Sequence, residues 1–217
     1  MPPPTPLRDL FQNNLQDDQE LPAKQKQVLQ AALDLFAVQG FDNTTTKQIA
    51  TLANVSEGTV YKRFKTKEQL LTAVLKPIIT DVTPQMASEF KRVITNHPFE
   101  SISDLIITIG KDRLQFVWDN QKELRILLGE ILKQTQPVKE FTQLITTTIV
   151  PAVYHQFDQL KERNKLINWD NERIFQYIIS VLLGYGARIV IFSSPIELEQ
   201  TLTETAEFFE RGLAPNK

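Results

Sequence analysis

Two capping boxes lie close together between Thr44 and Leu71, and this segment constrains the fold more than any other part of the chain. In a capping box, a Ser or Thr side chain caps a helix while a Glu or Gln three residues later bonds back to the cap residue. Thr45 with Gln48, and Thr66 with Gln69, have this spacing. The segment therefore predicts two helix starts about twenty residues apart.

A tight turn and a further helix fit between these two starts. Asn54 tolerates the positive φ that a tight turn between helices requires, and Ser56 is a preferred N-cap residue. We therefore predict short helices at 46–52 and 57–64, followed by the helix that Thr66 begins. The pattern is that of a helix-turn-helix, whose second helix presents its N-terminal half outward.

The residues before this segment divide into two parts. Residues 1–22 are polar and rich in proline, and their composition predicts a disordered tail. Residues 23–39 place apolar side chains at helical spacing, and Gly40 follows where a helix stop needs a left-handed residue. This gives a three-helix helix-turn-helix domain at residues 23–75, with a further helical domain at 76–217.

Charge is distributed unevenly along the 217 residues, which carry a net charge of -2. Between Lys24 and Lys76 there are eight basic and four acidic residues, a net charge of +4 that leaves -6 for the rest. A basic segment on an acidic chain is expected when one part approaches phosphates. Cysteine is absent, which excludes a disulfide framework and thiolate metal sites.

The segment GFDNTTTKQIATLANVSEGTVYKRFKTKEQLLTAVL resembles the N-terminal DNA-binding domain of TetR-family transcriptional regulators. The resemblance runs from about Val28 to Leu75. It rests on the paired threonines before the second helix, on Ile-Ala within it, and on Ala-x-Val-Ser-x-Gly-Thr-x-Tyr across the turn. Glu57 departs from the pattern, since members often carry Lys or Arg there. It could accept a hydrogen bond from a cytosine amino group or only favour the positive helix end.

The resemblance implies a homodimer that binds a palindromic operator in double-stranded DNA and responds to a small-molecule effector. Thr46 and the Tyr61 hydroxyl would contact phosphate, and Lys67 would clamp the DNA backbone from the following helix. Other residues would lie in or beside the major groove or close to the same strand. The implied DNA-binding residues are Thr46, Lys47, Ser56, Gly58, Thr59, Tyr61, Lys62 and Lys67.

The last two predicted helices contain the most apolar sequence in the chain. The segment 171–192 is apolar around most of its circumference, and such a helix needs cover on two sides. We predict that it pairs, together with the last helix, with its copy in a second subunit. The alternative is a central helix buried in a monomer. The predicted interface residues are Ile178, Leu182, Tyr185, Ile189, Leu202 and Phe209.

Aromatic residues are scattered through the middle helices and could line an effector pocket, although such residues are more often plain core. Pro151 interrupts a long helical segment, and a kink there would widen the space between helices. The candidate effector-binding residues are Phe116, Trp118, Tyr154 and His155.

The sequence contains no constellation that looks catalytic, and we predict neither an enzyme nor a cofactor. The two histidines, His97 and His155, have no partner at metal-ligand spacing. No apolar run approaches the roughly 18 residues of a membrane span, so a cytoplasmic protein is expected. We therefore expect an all-α regulator, a repressor, with an N-terminal helix-turn-helix domain and a larger regulatory and dimerisation domain. The alternative is a helical small-molecule-binding protein or enzyme whose helix-turn-helix serves protein interaction.

Overall fold

The computed structural model describes residues 6–131 and 136–215, and this part of the chain is helical without a β-strand. Two π-helical segments, Ile78–Val82 and Ile145–Ile149, lie between α-helices. The α-helices are α1 (Leu7–Asp17), α2 (Ala23–Gln39), α3 (Thr46–Leu52), α4 (Glu57–Arg63), α5 (Lys67–Pro77), α6 (Thr83–Asn96), α7 (Ile102–Asp119), α8 (Gln121–Ile131), α9 (Gln136–Leu144), α10 (Val150–Glu162), α11 (Asn171–Phe192) and α12 (Leu198–Leu213). The predicted all-α fold class is confirmed.

The chain divides into two compact units that do not follow the predicted domain boundary. The N-terminal unit contains Thr5–Gln85 and Lys122–Phe141, and the C-terminal unit contains Met86–Gln121 and Thr142–Lys217. The predicted boundary after residue 75 falls inside the N-terminal unit. The physical reason is that the chain continues from α5 through Ile78–Val82 without a break, and this π-helical segment buries Ile78 and Ile79.

The predicted disordered tail at 1–22 is wrong for residues 7–17, which form α1. The helix buries Leu7, Phe11 and Leu15 and packs against α2 and the π-helical segment Ile78–Val82. Apolar residues at i, i+4 and i+8 form one helical face. The prediction of disorder used the polar composition of the whole segment and did not take this spacing into account. Residues 1–5 lie outside the described residues.

The three helices predicted at 23–39, 46–52 and from residue 67 are present with those bounds or within a residue of them. Gly40 ends α2 at a φ of 83°, and its N–H donates to the Phe36 carbonyl at 3.0 Å. Phe41 then packs back on Phe36, with ring centroids 5.3 Å apart. A side chain at Gly40 would be strained by this φ, which explains the glycine at the stop.

The C-terminal unit is organised around α7, which packs against both α11 and α12. At Gly110 the approach is close, since an added Cβ would lie 2.5 Å from a Leu202 methyl carbon. Phe99, Phe157 and Ile174 are fully buried in the same core. The predicted opening near Pro151 corresponds to the π-helical segment Ile145–Ile149, directly before α10. Such a wide turn accommodates a proline that lacks the helical N–H.

α11 is the longest helix in the described residues, with 22 residues, and it is long and apolar enough by length and composition to cross a membrane. The expectation that no segment meets this criterion is therefore wrong. Core helices of proteins without a membrane span meet it too. Here Ile174, Ile178 and Ile189 are buried, and α11 packs against α7 and α10.

The packing of α1 can be tested by substitution at Phe11. Phe11→Ala should lower the free energy of unfolding by about 3–5 kcal/mol, because the ring is fully buried. Asn13→Ala, at an exposed position of the same helix, is the matched control and should have little effect. Urea denaturation of both variants measures the difference, and equal stability of the two would contradict the packing of α1.

Candidate nucleic-acid interface

The turn between α3 and α4 forms by the local interactions that the sequence predicts. The Thr45 hydroxyl accepts from the Gln48 N–H at 3.2 Å, and Gln48 Oε1 accepts from the Thr45 N–H at 2.8 Å. Asn54 has a φ of 54°, in the left-handed region. The Ser56 hydroxyl caps α4 by accepting from the Thr59 N–H at 3.2 Å. Local chemistry alone therefore fixes both ends of the turn.

One face of α4 is buried and the opposite face is exposed. Val60 and Phe64 are buried, whereas Ser56, Gly58 and Lys62 are exposed. Thr59 is half-buried, and its hydroxyl lies 2.8 Å from the Ser56 hydroxyl. The predicted groove residues thus share the outward side of α4 and are held by their own side-chain bonds.

Gly58 is not explained by packing within the protein. An added Cβ would meet only Ser56 Oγ, at 3.8 Å, which is an ordinary van der Waals contact. The folded chain would therefore accept alanine, which is also the better helix former. A requirement for glycine at this position must come from something that approaches α4 from outside.

Thr46, Tyr61 and Glu57 form a chain of hydrogen-bonding groups between α3 and α4. The Thr46 hydroxyl donates to Glu57 Oε1 at 2.7 Å and lies 3.1 Å from the Tyr61 hydroxyl. Tyr61 is 45% exposed, so this group of side chains lies at the surface. We call these three residues the hydroxyl–carboxylate chain. Glu57 is the member for which sequence reasoning left two roles open.

Lys67, the predicted clamp of the DNA backbone, bonds a loop of its own chain in this structure. Its ammonium group donates to the carbonyls of Phe41, Asp42 and Thr44 at 2.8, 3.3 and 3.0 Å. It also lies 4.3 Å from the centroid of the Phe41 ring. Because a lysine ammonium has three protons, these bonds use all of them. Lys67 therefore fastens the loop between α2 and α3, and its contact with the DNA backbone stays a prediction.

The same loop is held by residues that sequence reasoning did not select. Gln39 Nε2 donates to the Thr44 hydroxyl at 3.1 Å and to Gln48 Oε1 at 3.2 Å. The buried Thr44 donates its hydroxyl proton to the Gly40 carbonyl at 2.7 Å. Thr44 lies four residues after the glycine helix stop and directly before a capping box, which was the available signal.

The exposed basic side chains of this region carry its positive charge. Lys47 lies on α3, Lys62 and Arg63 on α4, and Lys65 in the following loop, all exposed. Within residues 6–131 and 136–215, the ammonium groups of Lys47 and Lys62 form no ion pair. These two charges are therefore available to a polyanion.

The candidate effector residues do not share one environment. Tyr154 is half-buried between Phe157 and Phe175, with ring centroids 6.3 and 6.0 Å away. Burial raises the pKa of Tyr154, and Glu172 adds to the shift. His155 is exposed and pairs with Gln159 at 3.1 Å. Tyr154 and His155 therefore lie in different environments, and the effector contact of His155 stays a prediction.

Phe116 and Trp118 also differ in their surroundings. The Arg113 guanidinium lies 3.8 Å from the Phe90 ring centroid and 5.2 Å from that of Phe116. Arg113 donates to Asp112, and burial lowers the pKa of Arg113 while Asp112 opposes the shift. Trp118 is 40% exposed, and its contact with an effector stays a prediction. Sequence reasoning missed Gln156, whose buried Oε1 has no hydrogen-bond partner within the described residues.

The predicted dimer-interface residues are mostly internal to the protomer. Five of the six are buried in the structure, and Tyr185 is half-buried; the buried residues are Ile178, Leu182, Ile189, Leu202 and Phe209. The prediction is wrong for these five, since the sequence of an apolar helix does not show which face its own core takes. Large apolar side chains remain exposed on the other faces, namely Tyr177, Leu183, Ile191, Phe192 and Phe208.

A helix-turn-helix whose second helix is exposed beside basic side chains is typical of a DNA-binding protein. Residues 28–74 match the family model described as bacterial regulatory proteins, tetR family. This segment is therefore similar to the DNA-binding domain of the tetR family. Over 62 residues it is 44% identical to the HTH-type transcriptional repressor Rv3405c of Mycobacterium tuberculosis, covering 29% of this chain and 33% of that protein. The chain matches only about a quarter to a third of the length of such curated relatives.

Solved structures share the fold along most of the chain. A bacterial regulatory protein in the tetR family from Rhodococcus RHA1 has a TM-score of 0.59 at 20% identity, covering 91% of this chain and 100% of that one. The transcriptional regulator FadR of Bacillus subtilis, in complex with stearoyl-CoA, has a TM-score of 0.59 at 16% identity, covering 86% and 97%. At these identities the likeness extends to the fold alone.

The fastening role of Lys67 gives a stability prediction. Lys67→Met should lower the free energy of unfolding by about 1–3 kcal/mol, because three carbonyls lose a charged donor. Lys65→Met removes the same charge from an exposed neighbour and is the matched control. Chemical denaturation measures both. Unchanged stability of Lys67→Met would show that the loop does not need its ammonium group.

Proposed function

We propose that this protein is a DNA-binding transcriptional regulator that inserts α4 into the major groove of an operator. The observation that carries the proposal is the outward face of α4, where Ser56, Gly58 and Lys62 lie together without a packing role. In helix-turn-helix proteins the N-terminal residues of the second helix contact base edges. The similarity of residues 28–74 to the tetR family supports the same orientation of α4.

The proposed contacts divide into two kinds. Thr59 and Lys62, with Ser56 and Gly58 beside them, face base edges and set sequence preference. Thr46 and Tyr61 contact phosphates, and Lys47 supports them by charge. Phosphate contacts position a protein and make its affinity depend on salt, without carrying sequence information. Lys67 acts indirectly, because it holds the loop that leads into α3.

We propose a homodimer as the binding form, so that two copies of α4 meet two halves of a palindrome. The contact surface consists of the outward faces of α11 and α12. Leu183 is 63% exposed and Ile191 is 58% exposed, and an added Cβ at the intervening Gly184 would meet nothing within 4 Å. A second copy can therefore approach the α11 backbone closely. Apolar exposure of this size on one helix is typical of an interface.

We further propose that a small-molecule effector binds within the C-terminal unit and releases the DNA. Tyr154 with its two aromatic neighbours and the unpartnered Oε1 of buried Gln156 are the groups that support such a site. The FadR of Bacillus subtilis holds stearoyl-CoA within the same fold, which makes acyl-CoA esters the first class to test. A ligand shifts the equilibrium only through different affinity for the two states.

The regulator is proposed to act as a repressor, as the name of its relative from Mycobacterium tuberculosis states for that protein. The direct test is selection of bound duplexes from a random pool, followed by addition of long-chain acyl-CoA esters. Recovery of a palindromic sequence supports the function, and release by a ligand supports the switch. Failure to enrich any sequence over the starting pool would contradict the proposal.

Gly58→Ala separates the requirements of the fold from those of DNA binding. The variant should be as stable as wild type, or more stable by up to about 1 kcal/mol, because alanine favours helix. Its affinity for the selected duplex should nevertheless fall at least tenfold, since the added methyl group enters the space of the DNA. Fluorescence anisotropy and thermal unfolding measure the two effects. If the folded variant binds the duplex as tightly as wild type, the proposal that α4 enters the major groove is contradicted.

The dimer surface is tested by Leu183→Arg. We expect a folded monomer with strongly reduced operator affinity, because a charged side chain would be buried between the two copies. Ile107→Arg, at an apolar position on α7 that is 41% exposed, is the matched control and should stay dimeric. Analytical ultracentrifugation at micromolar concentration measures the mass. A dimer that survives Leu183→Arg would place the interface elsewhere.

A further inference from the structure

Glu57 bonds the Thr46 hydroxyl, one of the two hydroxyl groups that the proposed function assigns to the DNA backbone. Its Oε1 accepts from the Thr46 hydroxyl at 2.7 Å, and Thr46 lies 3.1 Å from the Tyr61 hydroxyl. All three side chains belong to the hydroxyl–carboxylate chain at the surface between α3 and α4. An ionised carboxylate and a phosphate oxygen are both anionic acceptors. Glu57 therefore uses a donor that a DNA phosphate would require.

The number of protons makes this competition explicit. A carboxylate is only an acceptor, so the bond to Glu57 uses the single proton of the Thr46 hydroxyl. The Thr46 hydroxyl also faces the Tyr61 oxygen at 3.1 Å, so its one proton serves either Glu57 or Tyr61. Thr46 has no second proton to give. A phosphate oxygen can bind Thr46 only when that hydroxyl turns away from Glu57.

Charge adds to the effect of hydrogen bonding. A carboxylate within a few ångströms of a phosphate repels it, and the repulsion is strongest at low salt. The repulsion does not depend on base sequence, because every duplex carries the same backbone. Removal of the Glu57 charge should therefore favour all duplexes alike.

We propose that Glu57 is a positioning residue that holds the Thr46 hydroxyl in place without DNA and lowers backbone affinity when DNA binds. This inference rests on the proposed function, since it requires α3 and α4 to face the phosphates. It assigns Glu57 to the backbone and not to a cytosine amino group. The direction of its bond, towards the first residue of α3, supports the assignment. The result is a protein whose weak backbone contacts leave more of the discrimination to Thr59 and Lys62.

The test compares wild type with Glu57→Gln and Glu57→Ala on the selected operator and on a scrambled duplex. Glu57→Gln keeps an acceptor for Thr46 and loses the charge, whereas Glu57→Ala loses both. Glu57→Gln should bind both duplexes roughly three- to tenfold more tightly at low salt, and the gain should shrink as salt rises. Glu20→Gln, at an exposed position between α1 and α2, is the control for net charge and should change neither affinity.

The outcomes distinguish this inference from the function on which it rests. Equal tightening on both duplexes by Glu57→Gln, absent in Glu20→Gln, supports it. Looser binding of the operator alone, or a changed base preference in a repeated selection, would overturn it in favour of base contact. No change in either affinity would overturn it as well. Wild type that prefers no duplex over another would instead refute the proposed function.

Discussion

The geometry of the proposed DNA-facing surface depends on one lysine, Lys67. The ammonium group of Lys67 is bonded to three carbonyls of the loop between α2 and α3, and it lies against the ring of Phe41. That loop ends at Thr45, the cap of α3. Because α3 and the turn position α4, the fastening of one loop fixes the side chains two helices further on. Lys67 thus contributes by holding the protein backbone of this loop.

The rest of the interface is built from short local bonds of the same kind. Ser56 and Thr59 bond each other, and Thr46 bonds Glu57 across the gap between α3 and α4. Each of these side chains is oriented before a ligand arrives, so little conformational entropy remains to be lost on binding. The exception is the set of long basic side chains, which stay extended in solvent. The side chains closest to α4 are therefore held by hydrogen bonds, whereas the basic side chains around α4 carry the positive charge.

The C-terminal unit follows a different principle, since packing of apolar helices determines it. α7 packs against one face of α11 and one face of α12, and Gly110 allows Leu202 to approach α7 closely. Both helices have further apolar faces, and these remain exposed at Leu183, Ile191 and Phe208. One sequence property, apolar residues on nearly all sides of α11, therefore supplies both an internal core and an external surface.

The sequence by itself determined the features that depend on local chemistry. Capping residues set the starts of α3, α4 and α5, and Asn54 and Gly40 occupy two of the positive-φ positions, since caps and turns are formed by residues a few positions apart. It also determined the tetR-like character of residues 28–74. Only the tertiary structure decided that Lys67 bonds a loop more than twenty residues away, that α1 packs on the N-terminal unit, and which face of α11 is internal. These outcomes depend on contacts between distant segments, and the periodicity of a single helix records that a face is apolar without recording what covers it.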